Sequence, residues 1–414
     1  MNVVIVNKSD TTGGAAVVSR RLMDALREEG IDARMLVTER LTDSPYINLA
    51  APKWRILLSF VTERLRIFLT KGVTRRNLFA IDTASCGLPI YRHPLVKQAD
   101  VICLNWVNQG MLSLRGLKKL ESLGKPIVWT MHDMWCFTGI CHHAGSCRRY
   151  QKDCGDCKLL GSGAGPHDLS YTTLIKKSAA YSDRLHFVAV SSWLARLGPD
   201  SRLLKDFPID VIPNAFPIPF EKPEKNALPK FTIIFGAARL DDPVKGLPIL
   251  KEALRIIREE HPREAADMQL VTFGVFKNPE SADGFQIDSR HQGMIRGEEE
   301  IRKVYSQGDI VVSTSHYETL PGTLVEGQAY GCIPVTFDRG GQRDIVEHKS
   351  TGYLAEWNDD TTIAARNIAE GILWAYKTDR TEIIGRMYES AKEKFSANKI
   401  ARIYIELFNN LLSH

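Results

Sequence analysis

The sequence has no long hydrophobic run. Its first residues, "MNVVIVNKSD", hold four consecutive apolar residues before turning polar, and the longest apolar stretch elsewhere is "ILLSFV". Both are too short for the h-region of a secretion signal or for a membrane span, so a cytoplasmic protein is expected. No repeat of 20 to 50 residues occurs, which excludes solenoids and propellers, and there is no low-complexity tract. A G-x-G-x-x-G fingerprint is also absent, so the dinucleotide-binding pattern is missing. Charge is nearly balanced, with 54 Lys and Arg against 49 Asp and Glu. A net charge of +5 on a chain this long gives no reason to expect a nucleic-acid partner.

What is present is an ordinary globular composition, 44% apolar and 25% charged. At 414 residues the chain exceeds what one hydrophobic core usually supports, so two domains are expected. Short β-branched runs ("NVVIV", "ARMLV", "VICLN", "PIVWTM", "HFVAV", "DVIP") alternate with helical stretches in the first half. The second half repeats the pattern with "FTIIFG", "MQLVTF", "DIVVS", "IPVTF" and "GYL". Continuous apolar strands separated by helices predict an α/β protein with two doubly wound, Rossmann-like parallel sheets. Five prolines between 213 and 230 mark a linker, giving domains at 1–213 and 231–394 with 214–230 between them. The last segment has apolar residues at helical spacing (Ile400, Ile403, Ile405, Leu407 and Leu411).

One stretch is strongly basic. Residues 51–80 carry seven Lys or Arg against one Glu, interleaved with Trp54, Leu57, Phe60, Ile67 and Phe68. Two readings stand side by side: a basic amphipathic helix on an anionic membrane surface, or a solvated basic face packed on its own core.

Three motifs carry chemistry. After the first strand, Gly13 and Gly14 open a helix; paired glycines let a ligand approach the backbone, and a helix start attracts phosphate oxygens. Taken alone this is as much a tight turn as a site. In "SHYETLPGTLVEGQAYGCIPV", Pro321 and Gly322 start a helix whose first N–H groups, at Gly322, Thr323 and Leu324, are expected to hold a phosphate. Glu318 precedes that helix and Glu326 lies one turn into it. An anion repels carboxylates, so their expected use is to accept hydrogen bonds from neutral hydroxyls, as sugars supply. Either Glu alone is equally an acid stabilising a helix dipole or a solvated side chain. Finally, "FGAARLDDPVKGLPIL" places Arg239 and Lys245 after the first strand of the second half, where parallel sheets bind ligands and fixed cations neutralise a diphosphate.

Together, Glu318-x7-Glu326, the Arg239, Lys245 and Gly246 loop, the early Gly-Gly, "VIPNAF" and "GGQRDIVEHKSTGYL" resemble family 4 of the retaining glycosyltransferases, which have the GT-B fold. The resemblance spans nearly the whole chain. It implies two Rossmann-like domains facing a central cleft, the first on the acceptor side and the second binding the nucleotide sugar, with 395–414 crossing back as a C-terminal helix. It also implies that Glu326 holds the nucleotide ribose, Glu318 a hydroxyl of the donor sugar, and Arg239 and Lys245 the diphosphate. Gly14 would approach the diphosphate from the first domain. His132 in "WTMHDMW" matches the family's histidine near the reacting centre, although a lone His at a strand end is otherwise usually structural. The absence of any Asp-x-Asp fits GT-B rather than the metal-dependent GT-A class, so no cofactor is expected for catalysis. A UDP- or GDP-sugar donor and a glycan or lipid-linked glycan acceptor, in surface polysaccharide assembly, are implied. The rival is a non-catalytic sugar-nucleotide-binding or scaffold protein of the same fold.

The cysteines depart from most of that family. Five of eight fall within 22 residues: Cys136, Cys141, Cys147, Cys154 and Cys157. Cytosolic disulfides are rare, so a cluster ending in C-x-x-C points to a structural zinc on Cys141, Cys147, Cys154 and Cys157, with His142 or His143 as substitutes. Free thiols in a long loop are the plain alternative.

Overall fold

The β-branched runs become strands in a computed structural model that describes residues 1–70, 77–222, 224–225 and 228–413. The chain divides into two compact units, Met1–Ala215 together with the chain from Ile400 onward, and Phe216–Lys399.

The first unit holds a sheet of seven strands: β1 (Asn2–Ser9), β2 (Asp32–Glu39), β3 (Ile47–Leu49), β4 (Val101–Leu104), β5 (Ile127–Met131), β6 (Leu185–Ala189) and β7 (Ile209–Val211). They run in the order β3-β2-β1-β4-β5-β6-β7, every pairing parallel. Val3 to Val6, Val101 to Leu104 and Ile127 to Met131 are buried along their whole length, because helices cover both faces of the sheet. Parallel register brings Ser9, Leu104 and Met131 to one edge. The helix α1 (Gly14–Glu28) follows β1 and buries Val18, Leu22 and Leu26. The C-terminal helix Ala397–Leu412 docks on this unit: Tyr404 Oη lies 2.9 Å from Thr130 Oγ1, and Arg402 Nε bonds the Glu29 carboxylate at 3.1 Å.

The second unit repeats the plan with β8 (Phe231–Arg239), β9 (Met268–Val275), β10 (Asp288–His291), β11 (Ile310–Ser313), β12 (Ile333–Phe337) and β13 (Tyr353–Ala355). Their order is β10-β9-β8-β11-β12-β13, again all parallel. The chain turns one way from β8 to β9 and the other way to β11, so the loops after β8 and β11 part at a topological switch point. The helix Leu247–Glu260 packs Leu250, Ala253, Leu254 and Ile257 onto this sheet.

The proline-rich stretch expected as a linker is anchored at its start. Phe216 is buried, donates its N–H to Phe395 O at 2.9 Å and accepts from Ala397 N at 3.1 Å. Of that stretch, residues 223, 226 and 227 lie outside the described residues, as do Lys71, Arg75 and Arg76 of the basic segment.

Within the basic segment, Lys53–Thr70 form an 18-residue helix, α2. Its buried residues are Glu63, Arg64 and Ile67, while Trp54, Leu57, Leu58, Val61, Leu65 and Leu69 are exposed.

Candidate active site

In the second unit, the predicted residues gather at the carboxyl ends of β8 and β11. β8 ends on Arg239, and the chain then makes a short turn over Pro243–Lys245, opened by Asp242, whose carboxylate accepts the Val244 N–H at 3.0 Å. Gly246 closes the turn at φ +66°, a left-handed conformation that glycine adopts without strain. A Cβ there would stand 2.0 Å from Thr314 O, so the turn is pressed against the chain leaving β11. That chain is tied to it: Thr314 Oγ1 bonds the Lys245 and Gly246 carbonyls, each at 2.9 Å, and His316 N donates to Val244 O at 2.8 Å.

These ties carry Lys245 to Glu318. Lys245 Nζ lies 2.5 Å from Glu318 Oε1, which also accepts from Ser315 Oγ at 2.8 Å. Both partners keep partial exposure, 31% and 19% of their side chains. Sequence reasoning gave the two residues separate ligand contacts; here they bond each other first. An ammonium has three donors, so two of Lys245's remain for another acceptor. Glu318 is fixed from behind as well, its carbonyl taking the Gly341 N–H at 2.8 Å.

Arg239 takes a different course. Its Nε bonds Asp241 Oδ1 at 2.9 Å, so it is not joined to the Lys245–Glu318 pair. The N–H of Asn278 (2.8 Å), with Lys277 and Arg239, holds the Asp241 carboxyl down at about 2 against the opposing effect of burial.

The helix Gly322–Ala329 begins where the sequence places it, with no side-chain cap and no acid in its first turn. One expected phosphate donor is already engaged: Leu324 N bonds Pro321 O at 3.1 Å, because the first turn closes from i to i+3. That leaves the turn's opening residues, Gly322 and Thr323, to present backbone N–H groups. Glu326 sits one turn in, partly buried. A neighbour that sequence reasoning missed is Arg339, stacked 4.4 Å over Trp357, whose ring also faces His316 at 5.1 Å. Burial, then the Arg339 charge, lower the His316 pKa.

In the first unit, Gly13 has φ +91°, and α1 starts at Gly14 without a side-chain cap. Nothing lies within 4 Å of where a Cβ would stand on either glycine, so backbone is accessible there. Ser9 Oγ accepts the Thr11 and Thr12 N–H groups, and Asp10 binds Leu41 N, Thr42 N and Thr42 Oγ1, which fixes the loop.

After β5, His132 Nε2 lies 2.7 Å from Asn105 Oδ1. Burial pulls its pKa to about 4, only partly offset by Asp133, so the imidazole is neutral near pH 7. Asp133 accepts from Trp106 Nε1 (3.0 Å), His142 Nδ1 (2.7 Å) and Trp135 N (2.8 Å). Burial works to raise its pKa, yet the His142 charge and hydrogen bond, with His143 and the Trp135 N–H, hold it at about 2. His142 moves the other way: burial opposes its charge, Asp133 prevails, and its pKa rises.

Beside this loop lies a carboxyl pair that no motif announced. Glu63 accepts from Thr83 N (3.2 Å) and Thr83 Oγ1 (3.0 Å). Asp82 pairs with Arg64 at 2.6 Å and accepts the Gln109 N–H at 2.7 Å. Burial first, and then Asp82, push the Glu63 pKa up to about 8. A protonated Glu63 donates to Asp82, which gives a partner to Glu63 Oε2, an atom that otherwise has none among the described residues.

The cysteine loop is less complete than its spacing suggests. Burial raises the pKa of Cys141 (to about 12), Cys154 (to about 11) and Cys157, and these thiols, with Cys147, lie near enough to act on one another. Cys147 is exposed, and among the described residues no three His, Cys, Asp or Glu side chains converge as metal ligands.

Residues 218–386 match the family described as Glycosyl transferases group 1. Glycogen synthase of Lachnospira eligens is 27% identical over 159 residues, covering 36% of this chain and 33% of that protein. Glycogen synthase of Thermodesulfovibrio yellowstonii is 27% identical over 110 residues, covering 27% and 22%. The chain thus spans a third or less of the length of these relatives. Among solved structures, sucrose-phosphate synthase from Thermosynechococcus elongatus aligns over 100% of both chains with a TM-score of 0.62 and 16% identity. Anabaena HepE, solved in complex with UDP-glucose, aligns over 99% of this chain and 100% of its own, with a TM-score of 0.60 and 15% identity. Residues 218–386 are thus similar to a glycosyltransferase group 1 domain, and each of the two units has a Rossmann-like fold as in the GT-B glycosyltransferases.

Proposed function

We propose that the protein is a retaining glycosyltransferase of family 4 that moves a sugar from a UDP- or GDP-sugar to a glycan or lipid-linked glycan in surface polysaccharide assembly at the inner face of a membrane. The observation that carries this reading is the Lys245–Glu318 pair at the carboxyl edge of the second sheet, beside a helix start that no side chain caps. In this reading Lys245 gives its two remaining N–H bonds to the leaving diphosphate, supported by Arg239 and by the Gly322 and Thr323 N–H groups. Glu318 and Glu326 accept hydroxyls of the sugar and the ribose. Neutral His132 faces the sugar without adding charge, and the Gly13 and Gly14 backbone approaches the diphosphate. The rate enhancement comes from stabilising the leaving group and holding the acceptor hydroxyl close; a phosphate oxygen takes the acceptor proton, and no protein nucleophile is assigned. HepE's complex with UDP-glucose supports the choice of donor class.

The cysteine loop carries a separate proposal, a structural zinc on Cys141, Cys147, Cys154 and Cys157. Their proximity supports it, and closing the site requires exposed Cys147 to turn inward.

A thermal-shift panel of UDP-, GDP- and ADP-sugars tests the reading, since a ligand of the native state raises its melting point. One donor is expected to stabilise the protein, and Lys245→Ala and Glu326→Ala each to abolish transfer from it with the fold intact. Wild-type transfer in either variant refutes the site. Binding without transfer to any glycan favours the non-catalytic alternative.

A further inference from the structure

Helix α2 is built inside out. Arg64 is buried and bonds Asp82 together with the Leu78 and Ile81 carbonyls, and Glu63 is buried against Thr83. Ile67 is buried with them, but six apolar residues face outward: Trp54 is 62% exposed, Leu57 62%, Leu58 60%, Val61 47%, Leu65 52% and Leu69 60%. At 100° per residue they form one continuous stripe about 120° wide. A helix that buries Glu63 and Arg64 and offers a stripe of this size to water is the mark of a surface that something else covers.

The charges beside the stripe identify what covers it. The exposed charged residues of α2 are Lys53, Arg55 and Arg66, and its single acid, Glu63, is turned inward. On the same projection Lys53 lies along one edge of the stripe and Arg55 and Arg66 along the other. A second copy docked face to face would set these cations against their own counterparts, since a two-fold interface pairs a patch with itself. An anionic bilayer has the complementary charge, and Trp54, with Arg55 stacked 5.0 Å over it, is a side chain suited to the headgroup level. No helix among the described residues is long and apolar enough to cross a membrane, so the helix would lie flat.

The inner face of α2 is held next to the candidate site of the first unit. Ser59 Oγ bonds Gly110 O at 2.7 Å, and a Cβ on Gly110, which has φ +80°, would stand 2.8 Å from the Ser59 and Phe60 backbone. Gly110 belongs to the same loop as Asn105, the partner of His132.

We propose that the outer face of α2 is a docking surface for an anionic lipid bilayer, with Trp54, Leu57, Leu58, Val61, Leu65 and Leu69 entering the headgroup region. This deepens the lipid-linked acceptor reading above, yet its test requires no sugar donor. The full chain is sedimented with vesicles of phosphatidylcholine alone or with about 30% phosphatidylglycerol, at low and high salt. Binding at least tenfold stronger to the anionic vesicles is expected. The Leu57→Ser, Leu58→Ser and Leu65→Ser combination should lower it at least tenfold, and Arg55→Ala with Arg66→Ala should remove most of the preference for the anionic lipid. These side chains are exposed, so the variants should keep the wild-type melting point, and calorimetry checks that they do. Absence of vesicle binding overturns the proposal, as does binding indifferent to the variants. A dimer in light scattering that the triple variant abolishes also overturns it, in favour of a second copy. Failure of the nucleotide-sugar panel would refute the transfer reading and leave this result standing.

Discussion

Replacing Glu63 by Gln should make the protein more stable at neutral pH and less sensitive to pH. Glu63 has no exposure, and its pKa is raised from 4.5 to about 8 by burial and by Asp82. A carboxyl with a raised folded-state pKa loses its proton in the unfolded chain first. Between pH 4.5 and about 8 folding therefore takes up a proton, and stability falls as pH rises through that window. One proton corresponds to at most about 1.4 kcal/mol per pH unit, so by pH 7 the penalty reaches roughly 3 kcal/mol. For a unit of this size that is about 6 to 12 °C in melting temperature. An amide cannot ionise, and its NH2 group keeps a donor toward Asp82. Scanning calorimetry of wild type and Glu63→Gln at pH 5 and 7.5 isolates the effect of the pair, because groups distant from it titrate alike in both proteins. The gap between them should widen in favour of Gln at the higher pH. Parallel melting curves, or a gap that narrows, would refute a shared buried proton.

Two further outcomes follow from local geometry. Gly246→Ala should cost at least about 2 kcal/mol, from the left-handed conformation and the displaced Thr314 carbonyl, and should weaken donor binding by moving Lys245 from Glu318; a wild-type melting point and affinity would contradict the tight turn. Protein purified without chelator should hold about one zinc per chain, lost on replacing Cys154 by Ser, and less than about 0.2 would remove the metal proposal.

Most of the architecture was written in the sequence because parallel strands buried on both faces must be apolar along their length, as at Val3 to Val6 and Val101 to Leu104. Two strands escaped for the converse reason. β10 is "DSRH", an exposed edge with no apolar residue, and β3 is three residues long. Glycines were informative where backbone demanded them: Gly246 was read from its motif, and its close approach to Thr314 O explains why no side chain fits there. Pairing was not legible. Nothing in the spacing of Arg239, Lys245 and Glu318 told that Lys245 would bond Glu318 while Arg239 turned to Asp241, since both cations lie at the carboxyl end of the same strand.

The basic stretch shows most clearly where pattern reading stops. Periodicity locates an apolar stripe on α2 and cannot tell which way the stripe faces. The usual assumption, apolar inward, rests on burial of carbon being the cheapest way to dock a helix. Here Ile67 is joined on the docking face by Glu63 and Arg64, whose partners Thr83 and Asp82 come some 20 residues later from a segment with no strand or helix pattern of its own. Two charged side chains that find buried partners can invert a helix, because removing either one would strand its partner at a cost of about 3 to 5 kcal/mol. The inversion then leaves the apolar side free for a different solvent. A carboxyl pair without a motif and an exposed apolar stripe are thus two consequences of one arrangement, and Glu63→Gln tests its interior while the leucine substitutions test its exterior.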